Sequence, residues 1–477
     1  GRGLELKGST LEASDCDVEN NHSLGIYMYE SNAVLSGVQV LETGPSPSSD
    51  VGYGVYVSTA STLEATDCVI RGNRTAGMFV HGSEASLDDV QILDTRRVYD
   101  TLAGLGLYVL DSSLTASGLL VEGNHSFGVL LEDASATLTG SQVIDTFPTA
   151  SGDLGRGLTV VQSTLVANDC IVQGNTEAGV LVSTYSDATL DGLQISETRR
   201  GTTMVGSYGL ATQDGAVVFA SDLVVRDTDG PGLAANTRGF LSCTDCTVTD
   251  TAFAGASVQS GGELVLEDSL IEGTRPASGN GGGVGVFARD AGTGAWTSIP
   301  HTRRPHTNTD RSDYLRTRVG PPSLILRNNT IRDNEMGAVY IRGGGSYQLT
   351  GNDLSGGAGV EVDPGLWPHG DAVFVTDSGS QATTWDESSQ TGLLIENNLL
   401  SDSLGAGLFL DQASATISGN TYQGNTVDLV RQSCSASVEP GGLAEESLST
   451  TVLCPDYDYL TQDLELDHYM TESQVEF

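Results

Sequence analysis

A small residue followed by an alternating apolar triplet recurs along this chain, and no other feature restricts its fold so tightly. Examples are Gly54-Val55-Tyr56-Val57, Gly77-Met78-Phe79-Val80, Gly106-Leu107-Tyr108-Val109 and Gly157-Leu158-Thr159-Val160. Starts fall at 3, 25, 54, 77, 106, 128, 157, 179, 209, 232, 255 and 285, with steps of 22 to 30 residues, and resume at Ala338, Gly359, Gly407 and Val427. A fixed period of that size marks a repeat architecture, which grows in one dimension. The 477 residues therefore do not imply the two or three globular domains their number would suggest.

Each period holds three short strands. In the one from Gly54 they are Val55 to Val57, Thr62 to Ala65 and Cys68 to Ile70. Alternation with period two turns one face inward, so Val55, Val57, Leu63 and Cys68 are expected in the core. Gly, Asn, Asp and Ser punctuate the turns. A coil of 22 residues leaves no room for a helical crossover, so strand 1 must pair in parallel with strand 1 of the next coil. Parallel connections are right-handed. After strand 3 the turn carries Asn73, Thr95, Asn124, Thr146, Asn175 and Thr198, Asn on short coils and Thr on long ones. Asn tolerates a left-handed backbone, and stacked side chains there would form a ladder. The expected fold is all-β: a right-handed parallel β-helix of about 15 coils, roughly 70–75 Å long at the usual strand spacing. It would span 1–430, with insertions at 289–322 and 363–390, and end in a cap and acidic tail at 431–477.

The pattern resembles the pectate-lyase-like superfamily of right-handed parallel β-helices, and is most similar to bacterial secreted β-helix repeat proteins. The resemblance covers residues 1 to about 430. It implies the fold and leaves activity open, because the superfamily includes lyases, hydrolases, epimerases, adhesins and phage tailspikes.

Charge narrows the partners. With 22 basic and 62 acidic residues the net charge is −40, which excludes nucleic acid or an anionic membrane over most of the surface. A solvated acidic surface accounts for it, and Ca²⁺ or salt-rich surroundings are compatible with it. No cofactor motif is present, and no apolar run reaches membrane-span length. The chain opens inside a repeat, as a processed or truncated piece would, so its start is no argument for the cytoplasm. An extracellular or cell-surface location is expected, with the periplasm as alternative. Further chain or a partner is expected to cover the first coil, whose strand edges and interior would otherwise be open.

Cys16, Cys68, Cys170 and Cys246 share one repeat slot with Leu119 and Leu223, which marks a buried column. Neighbouring members lie too far apart for a disulfide. Cys243 and Cys246 form a CxxC with no second pair nearby, so zinc is not expected. Cys434 and Cys454, beyond the repeat, are expected to close the cap with a disulfide.

Three irregularities could carry function. Long loops at 44–53, 96–105, 147–156, 199–208 and 275–284 stand on every second coil before strand 1. The outward strand 1 column contains Tyr27, Tyr56, Phe79 and Tyr108, then small or aliphatic residues, then Phe287, Tyr340, Glu361 and Phe409. The four aromatics either lie under the long loops or form a platform for sugar rings. The two insertions both leave between strands 1 and 2, and hold Trp296, Trp367 and Trp385, every tryptophan in the chain. The first has six Arg against three Asp; the second has five acidic residues and no base. They either pair with each other or bound a ligand patch. Its candidate residues are Phe287, Trp296, Arg303, Arg304, Tyr340, Trp367, His369, Asp371 and Trp385. Aromatic and Arg side chains concentrate in recognition surfaces, and long loops on rigid scaffolds carry function.

Enzyme signatures are incomplete. A polygalacturonase-like site needs Gly-His-Gly, and only Pro368-His369-Gly370-Asp371 comes near. An epimerase-like Asp-Pro-His-Asp is split, with Asp363-Pro364 apart from His369 and Asp371. A lyase needs clustered carboxylates and an Arg base, where the strand 1 column offers Glu361. Asp363 and Asp371 could make an inverting glycosidase pair. The function expected is therefore an extracellular or cell-surface binding or structural protein recognising a glycan or surface partner. The alternative is a polysaccharide lyase, hydrolase or epimerase.

Overall fold

The computed structural model describes residues 1–45, 51–97, 104–202, 207–277, 282–289, 323–357, 370–376, 392–411, 413, 415–432, 438–441 and 450–453. Among these, all regular structure is strand. Contacts divide the chain into two units. The first is Gly1–Ala211 with Val217–Gly232, and the second is Leu233–Glu465 with Thr212–Ala216.

The first unit holds nine coils of three strands each. In one coil these are Tyr53–Ser58, Thr62–Thr66 and Val69–Arg71. Each pairs in parallel with its equivalent in the next coil; Met78 lies against Val55 and Phe79 against Tyr56. Inward positions are sealed: Val55, Val57, Leu63 and Cys68 are all at most 3% exposed. Gly106, second in its strand, has no room for a side chain: a Cβ there would lie 2.5 Å from both the Gly128 carbonyl and a Val121 methyl. The turn ladder exists. Asn73 Oδ1 accepts from the Thr43 N–H at 2.9 Å and Asn124 Oδ1 from Thr95 at 3.0 Å, while their amides donate to Val40 and Ile92 carbonyls.

The turns also account for part of the charge. Among the described residues, sixteen Asp and four Glu have positive φ, where Asn, Asp and Gly are tolerated best. Acid and glycine alternate down several of these columns. A Cβ on Gly174 (φ +67) would lie 2.0 Å from Asp145 Oδ1, one on Gly118 (φ +60) 2.2 Å from Asp89 Oδ1. The carboxylate of one turn thus fills the space that the next turn leaves by having no side chain.

The second unit holds six complete coils from Leu233–Ala235 to Thr421–Gln423. Three features differ from expectation. Strand 1 of the fifth coil is Asp371–Thr376, paired with Gly337–Arg342, and not the stretch at Gly359. Both stretches alternate small and apolar residues, but Ala372-Val373-Phe374-Val375 places an aromatic between Tyr340 and Phe409. Phe374 therefore takes the column position expected for Glu361, and the strand falls within the interruption expected at 363–390; Glu361 itself, with the rest of 358–369 and 377–391, lies outside the described residues. Second, parallel pairing continues past 430, through Val427–Gln432 with Thr450–Leu453 and Ala415–Ser418 with Val438–Gly441, so the cap expected from 431 begins as more of the same sheets. Third, Cys243 and Cys246 are disulfide-bonded, with Cα atoms 6.0 Å apart. Asp245, at φ +55, folds the chain back between them. Cys16, Cys68 and Cys170 are free thiols; Cys16, in a first coil whose strands pair on one side, is exposed rather than buried. Cys434 and Cys454 lie outside the described residues.

The turn slot that holds Cys68, Leu119 and Cys170 in the first unit becomes an asparagine ladder here. Asn329, Asn352, Asn398 and Asn420 each accept from the backbone N–H one coil before, at 2.9–3.0 Å. Asn352, Asn398 and Asn420 also each take an amide bond from the previous Asn.

Candidate functional site

Strand 1 presents its outward residues in register, so side chains of one type stack along the face. In the first unit Tyr56 and Phe79 rings lie 5.0 Å apart and 3° from parallel, Phe79 and Tyr108 4.7 Å and 5°. Tyr27 is tilted by 39° at 5.5 Å from Tyr56, and the Arg2 guanidinium caps its ring at 4.7 Å. The rings turn their faces to one another. What they offer outward is edges and hydroxyls, which is not the geometry of a face-on sugar platform. Tyr53 meets Tyr56 and Phe79 edge-on. The Tyr108 hydroxyl donates to Glu132 at 2.6 Å, and burial followed by that bond raises its pKa.

Beyond the rings the face closes. Leu154, from the 147–156 loop, packs against a buried cluster that includes Phe127, Leu130 and Val161. The next long loop joins it, Thr202 N–H donating to the Gly152 carbonyl at 3.3 Å. Beneath lies a buried ion pair, Arg156 to Glu177 at 2.6 Å.

The second unit carries another ladder: Phe287, Tyr340, Phe374 and Phe409, with centroids 5.6, 5.1 and 4.9 Å apart and planes within 19°. Phe287, Phe374 and Phe409 are buried at 3–7% exposure, and Tyr340 is partly exposed. One outward position further along, Arg289 stands in register with Arg342, and Arg342 with Thr376. The Thr376 hydroxyl donates to Asp411 at 3.1 Å. Burial raises the Tyr340 phenol pKa, while Arg342 and Arg289 pull it down and Asp411 adds to the rise. All four groups therefore share one electrostatic neighbourhood. At the other end of the strand, Asp371 accepts from the Ala406 N–H at 2.5 Å. Burial pushes its pKa up to about 6, against the lowering effect of that bond.

Of the residues singled out from sequence, the structure stacks Phe287 on Tyr340 and places Asp371 three residues before Phe374 on the neighbouring strand. Trp296, Arg303, Arg304, Trp367, His369 and Trp385 lie outside the described residues. Arg289 and Thr376 are the last described residues before 290–322 and 377–391, on strands two apart in one sheet. Sequence reasoning missed Phe374, Arg342 and Asp411 as members of this patch. The signal for Phe374 was the alternation at 372–375, hidden by an equally regular stretch at Gly359. No group of three or more metal-ligating side chains occurs among the described residues.

The model for the right-handed β-helix region matches residues 2–164, 105–297 and 316–441. This chain belongs to the right-handed β-helix family. No curated protein matches it. Among solved structures it is similar to the A-module of Azotobacter vinelandii mannuronan C-5 epimerase AlgE6, at 12% identity over 90% of this chain and 91% of that one, TM-score 0.33. It is also similar to PfbA, a surface adhesin of Streptococcus pneumoniae, at 9% identity over 86% and 85%, TM-score 0.35. The periplasmic alginate epimerase AlgG gives 8% identity over 86% and 77%, TM-score 0.30. Adhesin and polysaccharide-active enzymes both occur among these neighbours, so no single activity follows from them.

Proposed function

We propose that this chain is an extracellular or cell-surface binding solenoid that recognises an anionic glycan on the strand 1 face of its second unit. One observation carries the reading: Arg289 and Arg342 occupy the same outward position on adjacent strands, beside Tyr340, in a chain of net charge −40. A planar guanidinium is well suited to carboxylate or sulfate groups. Tyr340 adds an amphipathic edge. By chain order Trp296, Arg303 and Arg304 follow Arg289, Trp385 follows Thr376, and Trp367 and His369 precede Asp371; the proposal takes these six residues as extensions of the patch. The Cys243–Cys246 disulfide supports an oxidising compartment.

The test is binding of the purified chain to an array of neutral and anionic glycans. Arg289→Ala with Arg342→Ala should lower affinity roughly 10–100-fold, as loss of one or two charge-assisted hydrogen bonds does. Replacing 290–322 with a four-residue turn should abolish binding and leave folding intact. Undiminished binding by both variants would remove the proposal. A second reading, a polysaccharide-active enzyme, draws on Asp371: a carboxyl with pKa about 6 beside a binding face can transfer protons near neutral pH. Turnover of an acidic polysaccharide, lost in Asp371→Asn, would establish it.

A further inference from the structure

Strand 3 of the first unit shows a pattern that neither the core nor the proposed site uses. Its two outward positions alternate from coil to coil. The apolar member changes side each time, giving a zigzag of Leu41, Val69, Leu93, Leu120, Ile144 and Ile171, all half-buried. Register places each one diagonal to the next, Gln91 beside Val69 and Leu120, and Leu93 beside Arg71 and Glu122. The complementary zigzag has exposed Gln39, Gln91 and Gln142, with Arg71 and Glu122 between them. The result is a checkerboard repeating every two coils, roughly 9–10 Å.

Two properties set this face apart. Its own charges sum to zero, one Arg (Arg71, ion-paired at 2.9 Å with Asp94 of the rim) and one Glu (Glu122), in a chain of net −40. The strand 2 face over the same coils is Ser- and Thr-rich and carries Glu64, Glu84 and Asp88. Its rims, by contrast, are acidic: Asp67, Asp89 and Asp169 border one side and Asp145 the other, at positive-φ turns.

We propose that this face pairs with a second copy of itself. A strongly acidic chain can approach its own kind where its charge vanishes, and a two-coil checkerboard is self-complementary under a two-fold axis, as an isologous interface requires. Six three-residue strands give about 30 Å by about 10 Å, or roughly 600 Å² over both copies, the size of a weak, transient contact. The dimer is accordingly weak, with a Kd on the order of 10–100 µM. The apolar centre attracts while the acidic rims repel. Added salt screens the rims, so association strengthens with ionic strength, opposite to the behaviour of a cationic partner in this trough.

Sedimentation equilibrium of the full chain across that concentration range, in about 0.05 M and about 0.5 M NaCl, tests this. The expected result is a monomer–dimer equilibrium at least several-fold tighter in high salt. Leu93→Asp with Leu120→Asp should be monomeric in both. Gln91→Asp with Gln142→Asp, at exposed positions that leave the fold untouched, should weaken the dimer about 10-fold or more; circular dichroism confirms that each variant folds. Thr115→Asp on the strand 2 face should leave the equilibrium unchanged. A wild-type monomer throughout, a dimer that salt dissociates, a dimer surviving both double variants, or one lost in Thr115→Asp would each overturn the proposal.

Discussion

The two units solve the same packing problem with different side chains. Between strands 2 and 3, the first unit places Cys68, Val90, Leu119, Cys170 and Leu193, with Ser141 interrupting after Leu119, each at most 4% exposed. The second places Asn329, Asn352, Asn398 and Asn420 there, equally buried and linked by hydrogen bonds along the column. An apolar column needs only volume. An amide column supplies a partner to each buried backbone N–H it meets, but it tolerates no gap. The strand 1 faces diverge similarly. The first unit has a half-exposed ring ladder and loops that close over the adjoining coils. The second has a buried ladder flanked by Arg289, Arg342 and Asp411. Regular coils thus hold the fold in both, while outward chemistry concentrates in the second.

The largest effect should come from breaking the amide column. Asn352→Ala removes the acceptor for the Asn329 N–H and amide, and the donors to the Leu326 carbonyl and Asn398. Each buried group left unpaired costs about 1–3 kcal/mol, so a loss of roughly 3–5 kcal/mol is expected. Urea unfolding should show it in the second unit's transition. Val90→Ala, at the equivalent first-unit slot, removes volume only and should cost roughly 1–3 kcal/mol. Equal losses would show that the two columns are energetically interchangeable.

Gly174→Ala comes next. The substituted residue would carry a Cβ at φ +67, 2.0 Å from Asp145 Oδ1. The left-handed backbone costs about 1–2 kcal/mol and the clash adds to it, for about 2–3 kcal/mol by urea denaturation. Adding Asp145→Gly removes the clash and should recover the excess. If the double variant is no more stable than the single, the carboxylate-over-glycine rule is only coincidence of register.

A third comparison uses pH. Burial raises the folded pKa of Asp371 to about 6, well above the ordinary carboxylate range, so the folded second unit binds its proton more tightly than the unfolded chain. Its contribution favours folding fully below the unfolded value and is lost as pH rises through 6. The second unit's Tm should therefore rise as pH falls from 7 towards 5, by the equivalent of on the order of 1 kcal/mol after solvent screening. Asp371→Asn should flatten that slope. Screening of the net charge affects wild type and variant alike, so their difference isolates the one carboxyl.

Fold was legible in the sequence because each coil repeats the same local rules. The alternation that turned Val55 and Leu63 inward recurs often enough for single exceptions not to matter. The site was less legible. Its members come from one strand per coil, so their proximity depends on register, and one misassigned strand exchanged Phe374 for Glu361. Asn352 and Asn398 escaped notice because an Asn in a turn is ordinary; only the stacking of four made them a ladder. The Cys243–Cys246 bond was hidden by the column assignment of Cys246: the CxxC raised only the question of zinc, and burial already accounted for Cys246.

The smallest effect distinguishes the ring ladders. Tyr108→Phe keeps the stack on Phe79 and removes only the hydroxyl that donates to Glu132 at 2.6 Å. Phenylalanine already occupies three of the four ring positions in the second unit, so ring packing should not suffer. The net value of one hydrogen bond to a partly exposed carboxylate is about 0.5–1 kcal/mol. The first unit should lose that much, and Tyr56→Phe, with no such bond among the described contacts, should lose less. Spectrophotometric titration adds an independent check. Tyr108, with its pKa raised by burial and the Glu132 bond, should ionise above the ordinary phenol range, and the variant should lack that late step. A Tyr108 that ionises within the ordinary phenol range would mean the bond to Glu132 does not persist in solution, and that the ladder's edge is open to ligands where the structure shows it tied down.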